Sequence, residues 1–156
     1  MSKPQDDLAK ITKITPPPYE MTETESGLLE IVKDSVIKKL KDNEGFSVLL
    51  ASAHNDGNRM SIYTMDSVED ALSECKNKLC HELKDTSDYV LVFDARFEQN
   101  GRQENLLIFQ MEHLGAKRSM RVFQFYKLEK SSFNSNIRYI NIGNLEYYGE
   151  EDAWLG

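Results

Sequence analysis

At 156 residues and 18.0 kDa the chain is enough for one domain, and it can bury about two-thirds of its unfolded surface without a metal or a disulfide. Apolar residues make up 40% and charged residues 29%, with a mean hydropathy of -0.55, which excludes a membrane-embedded chain and a wholly disordered one. Lys and Arg number 19 against 26 Asp and Glu, so the net charge is 19 − 26 = −7. That field repels a polyanion, so no nucleic acid is expected as partner, and it suits a basic protein partner instead.

Met1 to Asp7 lacks an apolar core and a small-residue cleavage site, so no secretory leader is expected. The apolar runs Val48–Ala51 and Leu106–Phe109 are too short to cross a bilayer, which predicts no membrane contact and a cytoplasmic location. Residues 1–25 are polar and carry Pro16-Pro17-Pro18, read as an extended spacer in an N-terminal arm. Residues 26–145 are read as a single α+β domain, followed by an acidic, aromatic tail over 146–156.

The first predicted helix spans 26–42. Leu28, Leu29, Val32, Val36, Ile37 and Leu40 recur at helical spacing, with Thr22 and Glu25 or Ser26 at its start and Gly45 past its end. Residues 46–54 and 59–65 then alternate as strands around Asn55-Asp56-Gly57-Asn58, a hairpin signal. A second helix is expected over 67–84, capped by Asp66, with the stripe Val68, Leu72, Cys75, Leu79 and Leu83. Cys75 and Cys80 point apart on that helix and are expected as buried, reduced thiols, with no disulfide or metal.

Three long strands follow: Tyr89–Glu98, Glu104–His113 and Arg118–Leu128. Asn100-Gly101 is the strongest hairpin signal in the chain, and a two-residue turn there sets Val92 opposite Phe109, Phe93 opposite Ile108 and His113 opposite Asp88. A turn at Gly115-Ala116 sets Phe109 opposite Val122. Ser131–Asn136 reads as a polar loop and Ile137–Ile142 as a short sixth strand. The order is α-β-β-α-β-β-β, a five-stranded sheet, or six with the last segment. Over residues 26–128 this order resembles the roadblock/longin-like layout, which implies two helices on one face of an antiparallel sheet.

Both faces of the long strands are apolar. One carries Tyr89, Leu91, Phe93, Leu106, Ile108, Phe123 and Phe125, and the other Val90, Val92, Leu107, Phe109, Met111, Met120 and Val122. If both helices lie on the first face, the second needs another cover. The expected cover is a second copy of the chain, through Val92, Phe109, Met111 and Val122, or the chain's own Pro16–Tyr19 arm, or its tail through Tyr147, Tyr148 and Trp154.

No nucleophile elbow, P-loop, dinucleotide loop or zinc-protease motif occurs, and no cofactor is expected. His54 beside Asp56 at a loop tip, and Asp94 on an apolar strand, are the residues that acid–base chemistry could use. Two readings follow. One is a non-enzymatic adaptor, regulator or inhibitor that binds protein through the apolar face and the Tyr147, Tyr148 and Trp154 tail. The other is a small hydrolase or other enzyme using His54, Asp56 and Asp94.

Overall fold

The computed structural model describes residues 20–130 and 138–155. The Pro16–Pro18 spacer and the Ser131–Asn136 loop lie outside the described residues. The chain runs α1 (Glu23–Lys41), β1 (Val48–His54), β2 (Gly57–Tyr63), α2 (Val68–Asn77) with a π-helical turn (Lys78–Glu82), β3 (Asp88–Gln99), β4 (Arg102–His113), β5 (Arg118–Lys130), β6 (Arg138–Ile142) and β7 (Glu146–Asp152). The described residues form an α+β fold on one antiparallel sheet of seven strands.

The strand order is β2-β1-β3-β4-β5-β6, and β7 also pairs with β5. The register worked out from the two turns holds: Val92 pairs with Phe109, Phe93 with Ile108, Asp88 with His113 and Phe109 with Val122. Asn100 and Gly101 both take positive φ (54° and 77°), as a tight hairpin of this hand demands. Gly115 does the same at the next corner (φ 95°).

The helices do not share a face. Leu28, Leu29, Val32 and Val36 of α1 pack on Leu49, Ala51, Val90, Val92, Leu107, Phe109, Met111 and Val122. Ala71, Leu72 and Cys75 of α2, with Leu79 and Leu83, pack on Val48, Leu50, Tyr89, Leu91, Ile108 and Phe123. The expected layout of two helices over one face is therefore corrected to one helix per face. The cause lies in connectivity. β2 and β3 are both antiparallel to β1, so they run parallel to each other, and α2 is the crossover between them. Crossovers have one strongly preferred hand, which commits α2 to one face. The equally apolar opposite face is left for α1.

Local chemistry explains the helix ends. Thr22 Oγ1 accepts from the Glu25 amide (3.0 Å) and Glu25 Oε1 from the Thr22 amide (2.9 Å), a complete capping box. Glu25 is buried, and its Oε1 also meets His113 Nδ1 at 3.2 Å, which ties the start of α1 to the end of β4. The cap of α2 is Ser67, not Asp66: its side chain accepts from the Asp70 amide at 3.1 Å. The segment expected as an appended tail instead enters the sheet as β7, held by Arg118 to Glu150 (3.2 Å) and Arg121 to Glu151 (3.2 Å).

Candidate functional site

Strand parity decides which polar groups can meet. Ser52 and His54 alternate with Ala51 and Ala53 on β1 and face the α2 side, whereas Ala51 and Ala53 belong to the core under α1. Ser52 Oγ lies 2.7 Å from His54 Nε2, and His54 Nδ1 lies 3.0 Å from Asp85 Oδ1. A carboxylate can only accept, so Nδ1 carries the proton and Nε2 accepts from the serine hydroxyl. Thr86 Oγ1 donates to the Leu83 carbonyl (2.6 Å) and sits 3.5 Å from His54 Nδ1. The hydrogen bond from His54 holds the Asp85 carboxyl below the usual carboxylate range.

These distances have the form of a Ser–His–Asp triad, whose nucleophile needs a vacant position about 3 Å from its oxygen. Ser52 is 2% exposed and Thr86 roofs the histidine. A cleft of about 380 Å³ opens nearby between Leu83, Lys84, Thr86, Leu114 and Trp154, but neither Ser52 nor His54 lines it. The chain of bonds fastens the end of β1 to the loop before β3.

The two other residues expected to share chemistry with His54 stand apart from it. Asp56 is in the exposed β1–β2 turn and pairs with Arg59 at 3.2 Å. Asp94 lies on the α1 face, the opposite side of the sheet from His54, and accepts from Tyr126 Oη at 2.7 Å. Burial pushes its carboxyl up despite that bond and the nearby Arg96. Cys75 and Cys80 are both free; Cys75 is buried and Cys80 only partly so. Burial pushes the Cys75 thiol up to about 12, which removes it as a thiolate nucleophile. Among the described residues, no group of three or more His, Cys, Asp or Glu side chains is placed to hold a metal ion. No described helix is long and apolar enough to cross a membrane.

Beside the triad runs a longer polar row, also on the α2 face. Arg121 Nε donates to Gln110 Oε1 (3.0 Å), Gln110 Nε2 to Tyr89 Oη (3.0 Å), and Tyr89 Oη to Glu112 Oε1 (3.0 Å). Glu112 ends the row by accepting the main-chain amides of Trp154 (2.7 Å) and Leu155 (2.8 Å). Its side chain is fully buried, and burial raises its carboxyl above the usual range. Trp154 stacks on Tyr89 with centroids 5.6 Å apart, and Cys80 Sγ donates to the Trp154 carbonyl (3.3 Å).

The residues expected to bind a partner fall into two groups. Val92, Phe109, Met111 and Val122 are buried beneath α1. The open apolar face that motivated a dimer there is absent, because α1 covers it. Tyr147 packs at the rim of that same core and Trp154 is fixed on Tyr89. Tyr148 lies in β7, with its side chain outside the described set.

Among the described residues, unpartnered surface occurs where no site was expected. β2 ends the sheet and pairs only with β1 among the described residues. Met60 (41% exposed) and Ile62 (54%) sit on its α1 side, and Ser35 Oγ of α1 meets Met60 Sδ at 3.6 Å. Ile31, one turn before Ser35, is 40% exposed and extends the apolar strip. The strip's sequence signal is the alternation Met60, Ile62, Thr64. The Ser52–His54 spacing was also legible as two residues on one strand face. Asp85 was not, being 31 residues away from His54.

No family model matches this chain, and neither a curated protein nor a solved structure is significantly similar to it.

Proposed function

We propose that this chain is a non-enzymatic protein-interaction module that docks another polypeptide along the edge of β2. One contrast carries the reading. Ser52 and His54 are buried and bonded to each other and to Asp85, whereas among the described residues β2 leaves main-chain groups and an apolar strip outside. A terminal strand without a blocking feature is a template for strand addition, in which main-chain bonds give affinity and alternate side chains give selectivity. The net charge of −7 keeps such a module soluble. The free thiols Cys75 and Cys80 agree with a reducing, cytoplasmic setting.

A photo-crosslinking residue in place of Met60, used in the native host, tests this directly. Covalent adducts to a polypeptide should form from position 60 and not from exposed Lys127 on β5. Equal labelling from both positions, or none, would remove β2 as the docking edge.

Hydrolase chemistry is the second reading, and its one support is the Ser52–His54–Asp85 geometry. In that reading Ser52 attacks, His54 takes its proton and Asp85 orients the imidazole. A fluorophosphonate probe separates the two readings: the native protein should stay unlabelled, and labelling lost in Ser52→Ala would establish the enzyme.

A further inference from the structure

We propose that the occupant of the β2 edge is a second copy of this chain, so that two β2 strands pair antiparallel about a twofold axis and two sheets become one. This rests on β2 being a docking edge and names what docks there.

The direction of the main-chain groups comes first. β1 and β2 are joined by a two-residue turn closed by His54 and Gly57. The closing pair of such a hairpin is hydrogen-bonded, and bonded and non-bonded pairs alternate beyond it. Gly57, Arg59, Ser61 and Tyr63 therefore spend their main-chain groups on β1. Asn58, Met60 and Ile62 aim theirs outward from the sheet edge, while the side chains of Met60 and Ile62 join Ile31 in the strip on the α1 face beside it.

Self-complementarity comes second. With Ser61 on the axis facing its own copy, Met60 meets Ile62 of the copy and Ile62 meets Met60. Those two outward-facing positions then bond to each other in both directions. Arg59 faces Tyr63 of the copy, and no like charges face each other across the strand pair. The segment from Gly57 to Met65 contains no carboxylate, and Asp56 and Asp66, which this register sets opposite each other in the two copies, lie just past the strand ends.

Closure comes third. The other end of the sheet, along β5, carries β6 and β7, and β7 brings Glu146, Glu150, Glu151 and Asp152 and a register shift beside Arg121 and Val122. Charges and irregular register are how proteins block an edge; β2 has no proline and a single charge, Arg59, which is paired with Asp56 at 3.2 Å. β2 on β2 closes at two copies, whereas a head-to-tail contact from β2 to β7 would meet the register shift there and would not close. Lys78, whose Nζ is 3.5 Å from Ser61 Oγ, stands beside the axis in each copy, so added salt should strengthen the pair.

Sedimentation of the full chain at tens of micromolar should show a dimer, tighter in high salt. Ile62→Lys should weaken it by about tenfold or more while far-UV circular dichroism stays native. Ser61→Cys should form an interchain disulfide under mild oxidation, because facing residues in a non-bonded pair are close, and Met60→Cys should not. The cysteine pair keeps the test open if Ile62→Lys misfolds. A monomer at every salt concentration, or a dimer indifferent to Ile62→Lys and deaf to Ser61→Cys, overturns the inference. If that monomer still crosslinks from position 60 to a different polypeptide, the docking edge survives and only the second copy falls. If it crosslinks to nothing, both fall.

Discussion

Asp94, unusual in the sequence as a carboxylate on an apolar strand, is answered in the fold by a tyrosine. A carboxylate among Val92, Leu107 and Phe109 has to find a donor, and Tyr126 Oη provides it at 2.7 Å. The same contact raises the Tyr126 phenol, since burial and the neighbouring carboxylate both oppose its ionisation. Tyr126→Phe leaves the carboxylate without that donor and should cost about 1–3 kcal/mol in denaturant unfolding. Asp94→Asn keeps an acceptor and should cost less. The pH dependence has a defined sign. Asp94 binds its proton more tightly folded than unfolded, so its contribution to stability is largest at acid pH and falls as pH rises through the raised value. Urea midpoints should therefore show wild type losing ground to Asp94→Asn between about pH 4, the ordinary carboxylate value, and neutrality. A constant difference between the two would mean that the carboxylate is not held high. The donor itself was not legible in the sequence: Arg96 and Arg121 were nearer candidates by charge, and Tyr126 enters only because β5 brings residue 126 opposite Asn105, two strands from Asp94.

At the scale of elements, β7 was the least legible. Its sequence, with four acidic residues and a glycine among seven, has little strand propensity. Its pairing depends on tertiary partners: Arg118 and Arg121 for the carboxylates, and buried Glu112 for the amides just beyond. Glu112→Gln tests that dependence. The amide nitrogen would point an N–H at the N–H of Trp154 or Leu155, and the anchor should loosen at a cost of about 1–3 kcal/mol. Trp154 emission should shift to the red while circular dichroism keeps its sheet signal. Unchanged emission would show that stacking on Tyr89 alone holds the segment. By contrast, β3, β4 and β5 could be placed to the residue, because Asn100-Gly101 fixes a turn length and pairing then follows by counting. What counting could not supply was the assignment of helices to faces. Both faces are equally apolar, and the choice is made by the crossover connection.

For the whole molecule, one sheet serves as the floor of two cores. Val90 and Val92 belong to the core under α1, and Leu91 between them belongs to the core under α2. Neither layer can lose its packing while the shared strands stay intact, so unfolding should be a single cooperative transition. Trp154 fluorescence reports the α2 side, and far-UV circular dichroism reports both helices. The two urea curves should superimpose in wild type and shift together in Met111→Glu, which buries a charge beneath α1 and should cost several kcal/mol. Separate midpoints would show that the layers melt independently.

The sharing of strands across long sequence distances also bears on synthesis. The stripe of α1 emerges from the ribosome early, yet most of its floor is Val90, Val92, Leu107, Phe109, Met111 and Val122. At translation speeds of about 5–20 residues per second, an amphipathic helix waits several seconds with little but Leu49, Ala51 and Ala53 of that buried core to lie against. Nascent chains of this protein should accordingly be chaperone clients until β5 appears, and slow codons between β2 and β3 would lengthen that exposure.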